Sequence, residues 1–405
     1  GQFDDALAIY RRELDKNPRN HTLHLSVGHA LKTVGRQADA IEAYREAYRV
    51  RPEFGDAYWS LANLKTYRFS DEDIAAMEAA LMVADLADDD RFHLDFALGK
   101  ALEDRSNYTE SFDYYERGNR LKREELGYTP ERLSTEMRLQ REHFGPELLE
   151  RFKGAGCPAP DPIFIVGLPR AGSTLVEQIL SSHSQVEGTT ELPDIPALAR
   201  REANYPLSLP GLSGEQLARR GEEFLKRTRI QRKTERPFFI DKLPNNWMHT
   251  VFIMLALPGA KIVDARRHPL GCCFSNFKQH FARGQAFAYS LEDMGRYYAD
   301  YVRLMAHLDR VQPGRIHRVI YERMVDDTEA EVRALLGYCG LPFEPACLEF
   351  HRTERAVRTP SSEQVRRPIF REGTEAHLPF EPWLGPLKTA LGPVLTAYPD
   401  NPGAW

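Results

Sequence analysis

A loop bounded by two glycines, set between a short apolar strand and an amphipathic helix, is the feature that most restricts the fold of this chain. The strand begins at Pro162, Gly167 and Gly172 bound the loop, and the helix opens at Ser173 and Thr174. Backbone N–H groups of such a loop and the positive end of the following helix converge on one point, which suits an anion with several oxygens. The segment predicts a phosphate-binding loop at the end of a strand.

The loop differs from the Walker motif of ATP-hydrolysing proteins in the position of its cation. That motif places lysine directly after the second glycine, where it reaches the outer phosphates of ATP. Here Ser173 follows Gly172, and the cation, Arg170, lies inside the loop. The sequence therefore favours an anionic ligand other than ATP. A P-loop nucleotide kinase is the alternative that the missing lysine disfavours.

A second candidate phosphate site follows a later predicted strand, at residues 261–265. Arg267 lies in the basic turn after this strand, Pro269 suits the first turn of the next helix, and Ser275 lies on that helix. Arginine grips phosphate through a planar fork of donors, and a serine on a helix can add a hydroxyl. The turn and the helix after it therefore form a second candidate site for a phosphate group.

The two motifs resemble those of the sulfotransferases that use 3'-phosphoadenosine 5'-phosphosulfate (PAPS). In that superfamily a P-R-x-G-[ST]-T loop binds the 5'-phosphosulfate. An arginine followed eight residues later by a serine binds the 3'-phosphate, and Arg267 and Ser275 match that spacing. The resemblance implies PAPS as the sulfate donor and no metal. It implies donor contacts from the loop and its helix at Arg170, Ala171, Gly172, Ser173, Thr174 and Leu175.

Further segments between about residues 161 and 385 resemble the tyrosylprotein sulfotransferase branch and its bacterial relatives. By this resemblance Tyr321 lies near the adenine, Lys242 near the leaving group, and Ser361 near the bridging region of the donor. Glu191 is the carboxylate nearest to the position of the family's catalytic base. The match around Glu191 requires a one-residue slip, and the arginine that the family carries there is absent.

The chemistry of sulfuryl transfer assigns roles to these residues. The acceptor oxygen attacks in line while negative charge builds on the departing 5'-phosphate oxygen, so positioning and charge stabilisation dominate. Glu191 is the predicted general base, and His183 and His268 are the alternatives, because histidine serves in the cytosolic small-molecule enzymes. The predicted stabilisers of the developing charge are Arg170, Lys242 and Ser361.

The resemblance to the tyrosylprotein branch implies a protein or peptide tyrosine as the acceptor, and a phenol with a pKa of about 10 loses its proton more easily than a sugar alcohol. A carbohydrate or small-molecule hydroxyl is the alternative. The run Lys226–Arg236 is rich in basic residues. Such runs are mostly solvated helix faces, but this one is also a candidate site for an acidic, tyrosine-containing peptide.

The N-terminal third repeats itself with a period of about 34 residues, which is typical of tetratricopeptide repeats. Tyr10 recurs as Tyr44, and Pro18 recurs as Pro52. Stacked helices of this kind form concave peptide-binding surfaces, so the repeats are expected to hold a protein partner, to form a homodimer or to support the enzyme. The chain begins inside a repeat, which predicts an N-terminal truncation. A non-catalytic repeat scaffold is a further alternative.

The alternation of short β-rich runs with helical ones from Pro162 onward predicts a parallel sheet with helices on both faces. The predicted fold is an α/β, P-loop-like sulfotransferase domain at residues 159–405. An all-α tetratricopeptide-repeat domain at residues 1–128 precedes it, and a helical linker at residues 129–158 joins the two.

Composition narrows the partners and the location. The balance of 54 basic and 59 acidic residues argues against a nucleic-acid partner. No apolar run approaches the roughly 20 residues needed to span a bilayer, so no membrane association is predicted. Five scattered cysteines do not suggest a disulfide scaffold, and a cytoplasmic location is expected.

Overall fold

The computed structural model describes residues 2–64, 66–281, 284–353, 364–369, 371 and 373–402. The chain divides into two compact units. The first comprises Gly1–Tyr128, Phe277–Ser290 and Pro379–Trp383, and the second comprises Thr129–Asn276, Leu291–Leu378 and Leu384–Trp405. Each unit draws on more than one stretch of the chain, whereas the sequence suggested consecutive domains.

The first unit is built mainly from helices. They are α1 (Gln2–Lys16), α2 (His21–Thr33), α3 (Gln37–Val50), α4 (Gly55–Ala62), α5 (Asp71–Leu81), α6 (Asp88–Asp104) and α7 (Tyr108–Leu126). Helix α5 begins at a capping box, in which the Ser70 hydroxyl accepts the Asp73 N–H and the Asp73 carboxylate accepts the Ser70 N–H, each at 3.2 Å. This exchange satisfies donors that the start of a helix leaves unpaired.

Two glycines let paired helices of this unit approach closely. A Cβ atom at Gly28 of α2 would lie 2.4 Å from the Tyr44 ring of α3, and one at Gly99 of α6 would lie 2.8 Å from the Tyr115 ring of α7. The same spacing along the chain separates the two residues of each pair. Both helix pairs therefore pack a bare glycine backbone against a buried tyrosine.

The second unit contains a parallel sheet of five strands, which confirms the predicted α/β architecture. The strands are β1 (Pro162–Gly167), β2 (Val186–Gly188), β3 (Phe238–Lys242), β4 (Lys261–Arg266) and β5 (Ile316–Ile320). Their order across the sheet is β2-β3-β1-β4-β5, and each neighbouring pair is parallel. Strand β1 is central and all of its residues are buried.

The helices from Pro130 onward precede, connect or follow these strands. They are α8 (Pro130–His143), α9 (Pro146–Arg151), α10 (Ser173–Ser181), α11 (Asp194–Ala199), α12 (Gly214–Thr228), α13 (Thr250–Ala256), α14 (Pro269–Phe277), α15 (Leu291–Val311), α16 (Tyr321–Asp326), α17 (Thr328–Cys339), α18 (Gly385–Leu391) and α19 (Pro393–Ala397). Short 3₁₀ turns occur at Leu209–Gly211, Arg229–Gln231, Pro244–His249, Ala286–Tyr289, Pro345–Cys347, Phe350–Arg352, Gln364–Arg366 and Leu378–Trp383. Within the described ranges, no helix combines the length and the apolar character needed to cross a membrane.

Alternate residues of β1 face different helices. Ile163 belongs to a buried cluster with Val176 of α10 and Leu335 of α17. Phe164 instead packs against Phe224 of α12, with ring centroids 5.4 Å apart. Because successive side chains of a strand point to opposite faces of the sheet, helices cover both faces, as predicted.

The parallel arrangement brings the carboxyl ends of the strands to one edge of the sheet, where ligands of such folds bind. The register sets Ile165 of β1 beside Lys242 of β3 and Gly167 of β1 beside Ala265 of β4. The loop after β1, the end of β3 and the turn after β4 therefore meet at this edge. Tyr321 follows β5 at the same edge.

Candidate functional site

The loop after β1 has a backbone that glycine makes possible. Gly167 has a φ of 133°, and a Cβ atom there would lie 2.3 Å from the Ala265 carbonyl oxygen. Gly172 has a φ of 96°, and a Cβ atom there would lie 2.9 Å from the Tyr321 ring. Arg170 between them also has a positive φ, of 65°. Positions 167 and 172 therefore require glycine for two reasons. The backbone has a positive φ at each of them, and a neighbouring group leaves no space for a Cβ atom.

The helix after the loop presents its N-terminal end to a cavity. Helix α10 begins at Ser173 with Gly172 as its N-cap, and the first N–H groups of a helix have no partner within the helix. The N–H of Ala171, another residue predicted to contact the donor, donates to the Leu168 carbonyl at 3.3 Å and closes the turn of the loop.

The cavity at the start of α10 gathers most of the residues predicted to bind the donor. It encloses about 660 Å³ of space, part of which is open solvent. The predicted residues that line it are Arg170, Gly172, Ser173, Thr174, Leu175, Arg267 and Tyr321. Three separate motifs of the sequence therefore converge on one space.

The cavity is also lined by six residues that the sequence analysis did not single out. They are Phe350, Gln364, Val365, Arg367, Ile369 and Gly373. Four of these, Gln364, Val365, Arg367 and Ile369, follow closely after Ser361 in the sequence. The resemblance that indicated Ser361 was therefore the signal that could have pointed to them. Phe350 and Gly373 belong to no motif. Ser361 lies outside the described residues.

Two of the three arginines that line the cavity, Arg170 and Arg267, are held by neighbouring groups. Arg170 Nε donates to the Ser275 hydroxyl at 3.1 Å, and an Arg267 terminal nitrogen donates to the Arg170 carbonyl at 3.2 Å. The Arg267 guanidinium also lies 5.1 Å from the centroid of the Tyr321 ring. Asn276, the residue after Ser275, ties α14 to the loop by donating to the Pro169 carbonyl at 2.8 Å.

The electrostatics of the cavity favour an anion. Burial, and then the nearby charge of Arg267, lower the pKa of Arg170 to about 10, so its guanidinium stays charged at neutral pH. The Nε atom of Arg267 is buried and has no hydrogen-bond partner among the described residues. Two cations beside a helix N-terminus suit a ligand with phosphate groups, and the donor set therefore fits PAPS.

The structure also brings together Lys242 and Glu191, the other two predicted catalytic residues. Lys242 ends β3, and its ammonium donates a hydrogen bond to the Glu191 carboxylate. The Lys242 side chain is 2% exposed and that of Glu191 is 47% exposed. A second carboxylate, that of Glu177 on α10, lies 3.9 Å from the same ammonium. No motif of the sequence indicated that Glu177 lies near Lys242.

The structure excludes His183 as an alternative base, and His268 remains the other alternative. His183 is fully buried. Its Nε2 lies 2.9 Å from the Pro342 carbonyl and its Nδ1 accepts the Gln185 N–H at 3.1 Å, so neither nitrogen is available to a substrate. His268 stacks on His377 with ring centroids 5.4 Å apart, and burial lowers the pKa of His268.

The basic run Lys226–Arg236 is partly built into the protein. Arg232 pairs with Asp161 at 2.9 Å, and Arg236 donates to the Val186 carbonyl at 2.7 Å. The Glu187 carboxylate accepts hydrogen bonds from the backbone of this turn, including one from the Thr234 N–H at 3.0 Å. These two arginines therefore hold the turn in place, a role that neither interpretation of the run anticipated.

The sequence of this region matches a known family. Residues 162–345 match the model of the sulfotransferase family. The matched segment begins with β1, contains the described strands, and ends in the turn after α17. Over these residues the chain is therefore similar to sulfotransferase-family domains.

Individual proteins are similar to this chain over different lengths. An uncharacterised protein from Aquifex aeolicus (strain VF5) is 30% identical over 397 residues, which cover 95% of this chain and 52% of the relative, so the chain spans about half of that protein. The sulfotransferase domain of the Synechococcus PCC 7002 olefin synthase is 22% identical, with a TM-score of 0.42, over 54% of this chain and 87% of that one. A sulfotransferase from Alicyclobacillus acidocaldarius is 16% identical, with a TM-score of 0.34, over 58% of this chain and 95% of that one.

Proposed function

We propose that this protein transfers the sulfuryl group of PAPS to an acceptor hydroxyl. The observation that carries the proposal is the cavity at the start of α10, where the half-buried Arg170 and the buried Arg267 lie beside a helix N-terminus. PAPS carries a phosphosulfate at one end and a 3'-phosphate at the other, so it can place a negative group at each of the two arginines. ADP and ATP lack the 3'-phosphate and match the pair less well. The family of residues 162–345 supports the same class of reaction.

The donor is proposed to lie with its phosphosulfate at the loop. The N–H groups of Gly172, Ser173 and Thr174 bind the 5'-phosphate, and Arg170 neutralises the phosphosulfate. Arg267 and Ser275 bind the 3'-phosphate, and Tyr321 lies against the adenine. Arg367 is a further cation in the lining. Ser361 is proposed at the bridging oxygen from the family resemblance alone.

The proposed reaction uses Lys242 and Glu191 on the acceptor side. The acceptor oxygen forms a bond to sulfur as the bond from sulfur to the 5'-phosphate oxygen breaks, which yields a sulfate ester and adenosine 3',5'-bisphosphate. Glu191 accepts the acceptor proton after it separates from Lys242, and the freed ammonium stabilises charge on the departing oxygen. The observed hydrogen bond between the two side chains supports this exchange of partners.

Ligand binding and sulfate transfer test the proposal directly. We expect adenosine 3',5'-bisphosphate to raise the melting temperature more than ADP or ATP at equal concentration, because only the first carries a 3'-phosphate. Incubation with radiolabelled PAPS and a set of hydroxyl acceptors should then yield a labelled ester. Equal stabilisation by all three nucleotides, or the absence of any labelled ester, would overturn the proposal.

For the acceptor we propose a tyrosine of a protein or peptide, on the basis of the resemblance to the tyrosylprotein branch. A phenol, with a pKa of about 10, needs less help from a base than an alcohol does. Mass spectrometry of the products from a library of acidic tyrosine peptides tests this choice, with sugars and small phenols as competitors. Sulfation of sugars in preference to peptides would contradict it.

For the first unit we propose tetratricopeptide repeats that hold a protein partner or a second copy of the chain. The support is the recurring glycine-on-tyrosine contact of α2 with α3 and of α6 with α7. A scaffold without catalysis is less consistent with the paired cations of the second unit. We also propose a cytoplasmic location, which the five free and buried cysteines support.

A further inference from the structure

A buried carboxylate on α10 faces the lysine that the proposed reaction uses. Glu177 is 3% exposed and its Oε2 lies 3.9 Å from the Lys242 ammonium, which is 2% exposed. Helix α10 begins at the phosphate-binding loop, and Glu177 lies one turn after Ser173 on the same face of that helix. Because helix side chains lean toward the N-terminus, the carboxylate of Glu177 is directed toward the loop.

The two carboxylates near Lys242 have different surroundings. Glu191 lies in the connection between β2 and α11, and 47% of its side chain is exposed. Glu177 lies in the middle of a buried helix between flanking residues that are also buried. An ammonium taken out of water requires a compensating charge close by. Glu191 is free to rotate into solvent, whereas Glu177 is confined by its packing.

We infer that Glu177 is a positioning residue that serves as the fixed counter-ion of Lys242. The inference rests on the proposed function. When Glu191 takes up the acceptor proton it loses its negative charge and its hold on Lys242. Glu177 keeps the ammonium directed to the edge of the sheet while that exchange takes place. The carboxylate of Glu177 itself contacts neither donor nor acceptor.

A double-mutant cycle between Glu177→Gln and Lys242→Met tests this role. Glutamine keeps the size of the side chain and removes its charge. In the wild-type background we expect Glu177→Gln to lower kcat about tenfold and to change the KM for PAPS less than about twofold. In the Lys242→Met background the same change should cost nothing further, since residues in contact show coupling of about 2- to 150-fold.

Glu187→Gln is the matched control for the cycle. Glu187 is also a buried carboxylate, but it accepts hydrogen bonds from the turn at Thr234 and has a structural role. We expect its effect on kcat to be the same in the wild-type and Lys242→Met backgrounds. Glu177→Asp, which retains the charge on a shorter side chain, should recover part of the lost kcat if the charge is what matters.

The free energy of unfolding provides a second readout that does not depend on sulfate transfer. Coupling between Glu177→Gln and Lys242→Met in both unfolding and kcat supports the inference. Additive losses in kcat, or additive losses in unfolding, overturn it. A wild-type protein that transfers no sulfuryl group from PAPS instead overturns the proposed function and the catalytic part of this inference, and the unfolding cycle then decides the pairing alone.

Discussion

A terminal guanidinium nitrogen of Arg267 donates a hydrogen bond to the main-chain oxygen of Arg170 at 3.2 Å. The residue after β4 thus holds the loop after β1, and both side chains line the same cavity. Burial and then the charge of Arg267 lower the pKa of Arg170, so the two guanidinium groups repel one another unless an anion lies between them. The contact therefore prepares the cavity for a ligand with more than one negative group.

Replacing Arg267 should remove the preference for a 3'-phosphate. We expect Arg267→Ala to weaken the binding of adenosine 3',5'-bisphosphate about 10- to 150-fold, because hydrogen bonds to charged groups contribute about 1.5–3 kcal/mol. ADP, which lacks the 3'-phosphate, should bind almost as before. Calorimetric titration of both nucleotides measures the difference. Arg333→Ala, at an exposed ion pair on α17, is the control, and equal losses for both nucleotides would contradict the assignment.

Glycine at position 172 should be essential to the loop. We expect Gly172→Ala to cost about 1–2 kcal/mol of stability, because its φ of 96° and the Tyr321 ring at 2.9 Å leave no room for a methyl group. The binding of adenosine 3',5'-bisphosphate should fall as well. Gly337→Ala on α17 is the matched control, since a Cβ atom there meets nothing within 4 Å and alanine favours a helix by about 1 kcal/mol. Chemical denaturation that shows equal changes for both variants would count against this explanation.

Loss of the carboxylate at position 191 should affect chemistry and not donor binding. We expect Glu191→Gln to lower kcat about 10²- to 10⁴-fold, the range that general acid–base catalysis contributes. The affinity for adenosine 3',5'-bisphosphate should stay within about twofold, since Glu191 does not line the cavity. Steady-state kinetics and titration of the bisphosphate separate the two effects. A variant with wild-type kcat would show that another group is the base, with His268 as the next candidate.

The first unit should become less stable as the pH rises through about 6. Burial raises the pKa of Asp95 from its ordinary value of 3.8 to about 6, even though Arg117 lies 3.2 Å away. The folded state therefore binds this proton more tightly than the unfolded chain does. The stability that the proton provides is complete below about pH 4 and is lost as the pH rises to about 6.

The variant Asp95→Asn tests this pH dependence. At pH 8 we expect it to raise the free energy of unfolding by about 1–3 kcal/mol, since one pKa unit corresponds to about 1.4 kcal/mol. At pH 4 the gain should be much smaller. Asp113→Asn, at an exposed position on α7, should show no such difference between the two pH values. A gain that does not change with pH would exclude the titration of Asp95 as its cause.

Short motifs carried the predictions for the site, and the structure places several of these residues around one cavity. The loop with Arg170, and the pair of Arg267 and Ser275, each depend on spacing within one strand, turn and helix, and such local geometry can be recognised in a linear pattern. The parallel sheet was likewise evident from the alternation of β-rich and helical runs. These predictions required no knowledge of which strands are neighbours.

Contacts that depend on tertiary packing were not predictable in the same way. The periodic pattern of α10 does not show that Glu177 is buried, because its burial depends on β3 lying next to β1. The role of Arg232 depends on Asp161, which lies far away in the sequence. Phe350 and Gly373 reach the cavity from segments with no motif. In each case the contact is decided by strand order and loop path, which a single sequence does not specify.

The central position of β1 has a consequence for how this protein can change. Arg267 and Tyr321 follow β4 and β5 on one flank of the central strand. On the other flank, Lys242 ends β3 and Glu191 follows β2. Under the proposed function, residues on the β4 and β5 flank bind the nucleotide, and residues on the β3 and β2 flank activate the acceptor. Mutations on the β2 and β3 flank can therefore change which hydroxyl compounds the enzyme accepts, while its affinity for the nucleotide stays the same.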